Sequence, residues 1–212
     1  LALRCFTPEQ CVYAISVSHP DKVYRDRTVD FFNQHIEAAV QLDCDHMVVS
    51  TGFAYLDVDA EDAFGWCAEA MGRIARKAEQ EGVTLAVEPF TKYTTHICNE
   101  ASQLRRLLRT VNSPRLTGLA DTDVIATTAV DTFSTFLDVI GPENLGHVHF
   151  VDGNPGGHLV PGDGVLDLDG ALEKLKAIHY TGALGLEVLD RRYVFAPEAA
   201  MKQAMDWYKE RI

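Results

Sequence analysis

Residues 146–164, "GHVHFVDGNPGGHLVPGDG", join a short apolar run to the only cluster of glycines in the chain. An open nucleotide-binding sheet would place its glycine-rich turn after the first strand, where that turn opens a helix. Here the cluster follows the fifth of six apolar runs and opens no helical pattern. This position favours a closed parallel barrel over an open doubly wound sheet.

The six apolar runs are predicted to be buried parallel strands, and helical stretches lie between them. The runs begin at Leu1, Asp45, Val83, Leu116, Gly146 and Ala183. Amphipathic patterns predict helices over 26–42, 61–82, 99–111 and 197–212, with Gly82 as a C-cap and Asn99 as an N-cap. In the first of these, the apolar positions at helical spacing are Val29, Phe32, Ile36 and Val40. Strand alternating with helix predicts an α/β fold of the (β/α)8 TIM-barrel type.

A complete barrel has eight strands and about 250 residues, whereas this chain offers six strand–helix units. We therefore expect the run from Leu1 to be the third strand, with two further units of about 50–70 residues in all before it. On this interpretation residues 1–212 form one domain that contains strands three to eight.

Composition restricts the classes of partner. The formal net charge of −12 opposes binding to nucleic acid, and no apolar run reaches membrane-spanning length. Five scattered cysteines form no CxxC pair, which is typical of free thiols in a reducing compartment and predicts a cytoplasmic protein.

Four side chains at the ends of consecutive predicted strands can ligate a metal: Glu88, Asp121, His149 and Glu187. Active sites of α/β barrels form at this carboxyl edge of the strands. Three carboxylates that converge there would repel one another unless a cation lay among them. Three oxygen ligands and one nitrogen ligand suit Mn²⁺, Mg²⁺ or Co²⁺, and zinc is an alternative. For His147 and His149, which alternation places on one face, two core histidines are the competing interpretation.

Five motifs in this order resemble those of the xylose-isomerase-like barrels of the sugar isomerase/epimerase superfamily. They are "LAVEPF" (85–90), "LADTDV" (119–124), "GHVHFVD" (146–152), "HLVPGDG" (158–164) and "GLEVLD" (185–190). Within that superfamily the chain is most similar to ketose 3-epimerases such as fructoselysine 3-epimerase. The resemblance implies the same four ligands, Glu88, Asp121, His149 and Glu187. It departs from many ketose 3-epimerases at Val124 and Pro155, where those have a sugar-binding histidine and arginine, which favours a larger or differently decorated ketose.

The resemblance implies a divalent-metal-dependent epimerase of a ketose or ketose derivative that inverts C3 through an enediolate. Glu88 and Glu187 would be the catalytic pair that exchanges the proton. An aldose–ketose isomerase (of the hydroxypyruvate or sugar-phosphate type) or an inosose-type dehydratase could use the same site. An endonuclease for abasic DNA and an inactive binding barrel are further alternatives. Such relatives form homodimers or homotetramers, so the expected partners are a small sugar and further copies of the chain.

Each of the remaining polar residues near the predicted site has a functional and a structural interpretation. His158 would bind substrate or hold its loop. Arg191 and Lys92 would meet a phosphate or carboxylate on the substrate, or are solvated loop charges. His147 would support a metal ligand from behind, and Asp152 would do the same or stabilise a turn.

Overall fold

A curved sheet of five parallel strands forms the centre of the computed structural model, which describes residues 2–9, 11–12, 14–55 and 57–211. The strands are, in chain order, β1 (His46–Ser50), β2 (Thr84–Glu88), β3 (Leu116–Asp121), β4 (Leu145–His149) and β5 (Leu184–Gly185). They lie side by side in that same order, all parallel. A doubly wound sheet reverses its strand order at one point, whereas a barrel does not. The sequential order therefore confirms the barrel-type architecture.

Seven helices connect and cover the strands within the described residues. They are α1 (Lys22–Gln41), α2 (Ala60–Glu81), α3 (Ala101–Val111), α4 (Thr122–Thr128), α5 (Phe133–Ile140), α6 (Leu168–Ala177) and α7 (Pro197–Lys209). Gly82 ends α2 in the left-handed conformation, with φ of 76°, as predicted for a glycine C-cap. Each of these helices is too short or too polar to span a membrane.

The two faces of the sheet differ as strand alternation predicts. Leu85 and Val87 point outward into the main core, where they pack with residues of the surrounding helices. Ala86 points inward and belongs to a small separate cluster with Val48 and Leu119. Because alternate residues share a face, Glu88 extends the inward row that begins at Ala86 and reaches the carboxyl edge of the sheet.

Two predicted strands are shorter than expected. Of the run from Leu1, which itself lies outside the described residues, only Phe6 pairs with the sheet, through a single parallel bridge to Met47. The described sheet thus has five strands rather than six. The run from Ala183 pairs only at Leu184 and Gly185, so Glu187 lies just beyond the strand rather than on it.

Two details of the predicted helices were also wrong. Glu100, not Asn99, occupies the N-cap position of α3, because the Asn99 side chain instead donates to the Thr95 carbonyl oxygen. Val40 of α1 is exposed, whereas its neighbour Ala39 is buried in the core. A 20-residue helix at 3.6 residues per turn shifts its buried stripe by a residue near its end, which accounts for the exchange.

Candidate active site

The four predicted ligands converge at the carboxyl edge of the sheet. Glu88 ends β2, Asp121 ends β3, His149 ends β4 and Glu187 follows β5 by two residues. One ligand atom from each lies within 4.8 Å of the corresponding atom of every other. His149 is central, since its Nδ1 lies 2.9 Å from Oε1 of Glu88 and 3.2 Å from Oε2 of Glu187. The parallel register brings together residues that lie up to 99 positions apart, from 88 to 187.

Asp121 has two roles, one for each carboxylate oxygen. Oδ1 accepts hydrogen bonds from the backbone N–H groups of Asp123 (2.8 Å) and Val124 (2.7 Å), and so caps α4. This cap fixes the side chain so that Oδ2 points into the cluster. Oδ2 is buried and accepts no hydrogen bond among the described residues, although Nδ1 of His149 lies 3.5 Å away and Nε2 of His158 lies 3.3 Å away.

Electrostatics in the cluster favour additional positive charge. Burial alone would lower the pKa of His149, but the carboxylates of Asp121, Glu187 and Glu88 outweigh it and raise the pKa. Burial raises the pKa of Glu88 despite its hydrogen bond to His149. Burial would also raise the pKa of Glu187, but the two histidines beside it, His149 and His158, lower it to about 2. The three acidic groups therefore favour positive charge among them.

The residues present fit a divalent cation. A buried carboxylate oxygen without a partner is costly, and Asp121 Oδ2 is such an atom at the centre of a possible ligand set. The set comprises three carboxylates and one imidazole nitrogen, which is typical of Mn²⁺, Mg²⁺, Co²⁺ or a catalytic zinc site. Glu88, Asp121, His149 and Glu187 would hold the ion, with Nδ1 of His149 as the nitrogen ligand.

His158 is the fifth polar side chain at the cluster. Its Nε2 lies 3.3 Å from Oδ2 of Asp121 and 3.5 Å from Oε2 of Glu187. It reaches this position from the glycine-rich loop after β4, where its own φ is 47°. The structure thus places His158 beside Asp121 and Glu187.

The other predicted site residues lie farther from the four ligands or contact other groups. His147 packs edge-on against His149, with ring centroids 5.3 Å apart, and burial lowers its pKa to about 4. Asp152 is buried and accepts from the backbone N–H groups of Gly153, Gly162 and Leu166, so its described contacts are with the loop. These hydrogen bonds favour the interpretation that Asp152 stabilises a turn.

Lys92 and Arg191 contribute charge near the carboxyl edge of the sheet without touching the cluster. Nζ of Lys92 donates to the Thr128 carbonyl oxygen at 2.9 Å, which ties the loop after β2 to the end of α4. Arg191 begins a short 3-10 helix after β5 and is exposed.

A family model for xylose isomerase-like TIM barrels matches residues 4–211. The chain belongs to the xylose isomerase-like TIM-barrel family. The resemblance expected from the five motifs is confirmed, and with it the fold class.

Individual relatives of this family carry names of sugar-converting enzymes. Fructoselysine 3-epimerase from Shigella flexneri is 26% identical over 206 residues, which cover 96% of this chain and 74% of the relative. The solved structure of 3-keto-D-glucoside 4-epimerase from E. coli is 18% identical, with a TM-score of 0.87 over 99% of this chain and 80% of the other. The structure of the IOLI protein with a bound zinc atom is also 18% identical, with a TM-score of 0.78 over 97% and 73% of the two chains. At these identities the two structures show the shared barrel-type fold.

One buried residue of the site was missed by sequence reasoning. Asp123, two positions after Asp121, contacts His158 and the glycine-rich loop, and it is almost fully buried. The signal available was the loop itself, because several closely spaced glycines indicate that another group approaches the backbone. Its partner in sequence, 35 positions away, could not be identified from spacing alone.

Proposed function

We propose that this protein is a divalent-metal-dependent epimerase of a ketose or ketose derivative that inverts C3 through an enediolate. The observation that carries this proposal is the convergence of Glu88, Asp121, His149 and Glu187 within 4.8 Å around an unpartnered carboxylate oxygen. The name of the fructoselysine 3-epimerase relative supports the reaction and the substrate class.

When bound, the divalent cation would polarise the substrate carbonyl and stabilise negative charge on its oxygen. In this proposal Glu88 and Glu187 approach the sugar from opposite faces. One carboxylate removes the proton from C3 and the other delivers a proton to the opposite face, which inverts the centre. A positioned carboxylate base contributes about 10²–10⁴-fold to such a step.

The surroundings of the two glutamates differ in burial and in their charged neighbours. Burial raises the pKa of Glu88, whereas Glu187 is about one-third exposed and His149 and His158 help to hold its pKa low. A pair of carboxylates whose pKa values differ is suited to acid and base roles in one site. Inversion in the reverse direction exchanges those roles.

The proposed activity is tested by proton NMR in D₂O. The purified chain with Mn²⁺ is incubated with ketoses, ketose phosphates and fructosamines, and deuterium incorporation is followed at each carbon. Deuterium at C3 together with the inverted product supports the proposal. Deuterium only at C1 or C2 would assign an isomerase instead, loss of water would assign a dehydratase, and no exchange with any substrate would contradict the proposal.

Variants of the two glutamates test the proton-transfer scheme. Glu88→Gln and Glu187→Gln remove one base each while they conserve shape, and each should lower turnover by about 10²–10⁴-fold. Glu173→Gln is the matched control, because Glu173 lies exposed on α6 and pairs only with Lys176 among its described contacts. Wild-type turnover in either active-site variant would exclude the two-base scheme.

We further propose that His158 hydrogen-bonds the substrate, and that Lys92 and Arg191 meet a phosphate or carboxylate at its far end. His158 is supported by its contacts with Asp121 and Glu187. Lys92 and Arg191 are supported by their loops, which follow β2 and β5. If the charges bind such a group, Lys92→Met and Arg191→Met should raise KM for phosphorylated or acidic ketoses and leave KM for neutral ones unchanged.

Our proposal includes assembly and compartment. We propose a homodimer or homotetramer, for which light scattering should give a multiple of 23.5 kDa at micromolar concentration. We also propose a reducing compartment such as the cytoplasm, which is supported by five free cysteines, three of them buried. A monomeric mass would contradict the assembly.

A further inference from the structure

Residues 153–164 form the glycine-rich loop that follows β4. This segment, called the glycine loop from here on, carries His158 to the site. It contains three glycines with positive φ, Gly156, Gly157 and Gly162, and one histidine, His158, in the left-handed region. A non-glycine residue in that region costs about 1–2 kcal/mol, so other contacts must hold the loop in this shape. These contacts come from two buried carboxylates, those of Asp123 and Asp152.

The carboxylate of Asp123 holds the part of the loop that carries His158. Oδ1 accepts from the Gly156 backbone N–H at 2.5 Å, and Oδ2 accepts from the His158 backbone N–H at 3.1 Å. Oδ2 also lies 3.0 Å from Nδ1 of the His158 ring. Both oxygens are thus committed to the loop, and one of them binds the main chain and the ring of the same residue.

These contacts determine where the imidazole points. With Nδ1 held against Asp123, the opposite ring nitrogen, Nε2, faces Asp121 and Glu187. The chain makes room for this arrangement, since a Cβ on Gly153 would lie 1.8 Å from Oδ1 of Asp123. Any other residue at position 153 would displace the carboxylate.

We infer that Asp123 is a positioning residue that orients His158 toward the proposed substrate and metal site. Its importance for turnover rests on the proposed function, but the orientation itself does not. Asp123 acts through His158 and through the loop that bears it, and touches none of the reacting atoms.

Asp152 provides a matched control within the same loop. Like Asp123 it is buried and accepts from two backbone N–H groups of the loop, those of Gly153 and Gly162, and it also accepts from Leu166 just beyond the loop. No contact between its side chain and His158 is described. Asp152→Asn therefore loosens the loop without removing the partner of the His158 ring. Asp123→Asn loosens the loop and also removes the partner of the His158 ring.

The first test observes the ring directly by NMR of imidazole nitrogens and their protons. In the wild-type chain we expect a slowly exchanging Nδ1–H signal of His158, assigned by its loss in His158→Asn. The signal should disappear in Asp123→Asn and persist in Asp152→Asn. Its absence from the wild type, or its persistence in Asp123→Asn, would overturn the inference. If Asp123→Asn does not fold, hydrogen exchange in the wild type decides: the Gly156 and His158 amides should be protected, and exchange at the unprotected rate would overturn it.

The second test is a double-mutant cycle on kcat/KM with the ketose identified by NMR. Asp123→Asn should lower kcat/KM by about 10–100-fold, as does the loss of other residues that orient a site from behind. In a His158→Ala background the same change should have an effect no larger than that of Asp152→Asn, and Asp152→Asn should have the same effect in both backgrounds. Equal effects of Asp123→Asn in both backgrounds would overturn the inference. If no ketose is turned over, the proposed function fails, and the imidazole spectra still decide the role of Asp123.

Discussion

Replacing Gly185 with alanine should damage the site through steric contact alone. Gly185 ends β5 and lies beside β4, where its absent side chain leaves space for two histidine rings. A Cβ at this position would lie 3.0 Å from Nε2 of His147, 3.2 Å from Cδ2 of His149 and 3.4 Å from the Val148 carbonyl oxygen. All three contacts are shorter than, or at the limit of, ordinary van der Waals separation.

The cost follows from how little these neighbours can move. Both rings are buried on β4, and His149 is held by Glu88, so the added methyl group must shift buried groups by several tenths of an ångström. Overpacking of this kind costs about 1–3 kcal/mol, and the reduced freedom of the unfolded chain returns about 0.4–1 kcal/mol. We expect a net loss of about 1–2 kcal/mol in the free energy of unfolding.

Urea denaturation measures this loss, and Gly65→Ala is the matched control. Gly65 lies within α2, and a Cβ there would meet no atom within 4 Å, so alanine should stabilise the protein by up to about 1 kcal/mol. Gly185→Ala should also weaken Mn²⁺ binding by about tenfold or more, because the displaced ring carries the nitrogen ligand. If Gly185→Ala is as stable as the wild type, the close approach of β5 to these rings is wrong.

Three further predictions address the ion and a helix end. Asp121→Asn should change the free energy of unfolding by less than about 1 kcal/mol, because asparagine caps α4 equally well. Calorimetry should show a loss of Mn²⁺ affinity of about 10–100-fold, and unchanged affinity would contradict the ligand set. Mn²⁺ at 100 times its Kd should stabilise the wild type by about 2.7 kcal/mol, which should raise Tm by about 5–11 °C in scanning fluorimetry. Excess EDTA should reverse this shift in Tm, and the absence of a shift would argue against a metal site. Gly82→Ala should lower the free energy of unfolding in urea by about 1–2 kcal/mol, since φ is 76° there, and equal stability would refute the left-handed cap.

The sheet and the convergence of the four candidate ligands could be predicted because both depend on local patterns that repeat along the chain. Runs such as 83–88 are apolar except for Thr84 and the final Glu88, and their length fits a strand covered by helices. Once the strands are parallel, their carboxyl ends must meet, so Glu88, Asp121 and His149 could be grouped without knowledge of any distance. The structure brings these side chains together as that rule requires.

Features that depend on single contacts could not be predicted. Asp121 both ends β3 and caps α4, so no loop residues marked the start of that short helix. The pairing of Asp123 with His158 joins the first turn of α4 to the glycine loop, and neither residue has a periodic neighbour that would predict it. The strand from Leu1 was overestimated because it was predicted from apolar character alone, whereas Ala2, Leu3 and Arg4 are exposed and only Phe6 of the described residues pairs with the sheet.

The manner in which the glycine loop is held has a consequence for how new specificities could arise. Asp123 and Asp152 hold the loop chiefly through backbone N–H groups, which every residue except proline possesses. Exposed side chains between the two anchors, such as those of Asn154 and Pro155, can therefore be exchanged without disrupting the anchors. A library that randomises these positions and retains both aspartates and the glycines would vary the chemistry beside the metal ligands on a fixed backbone. Directed evolution of this protein toward other substrates would begin at these exposed positions.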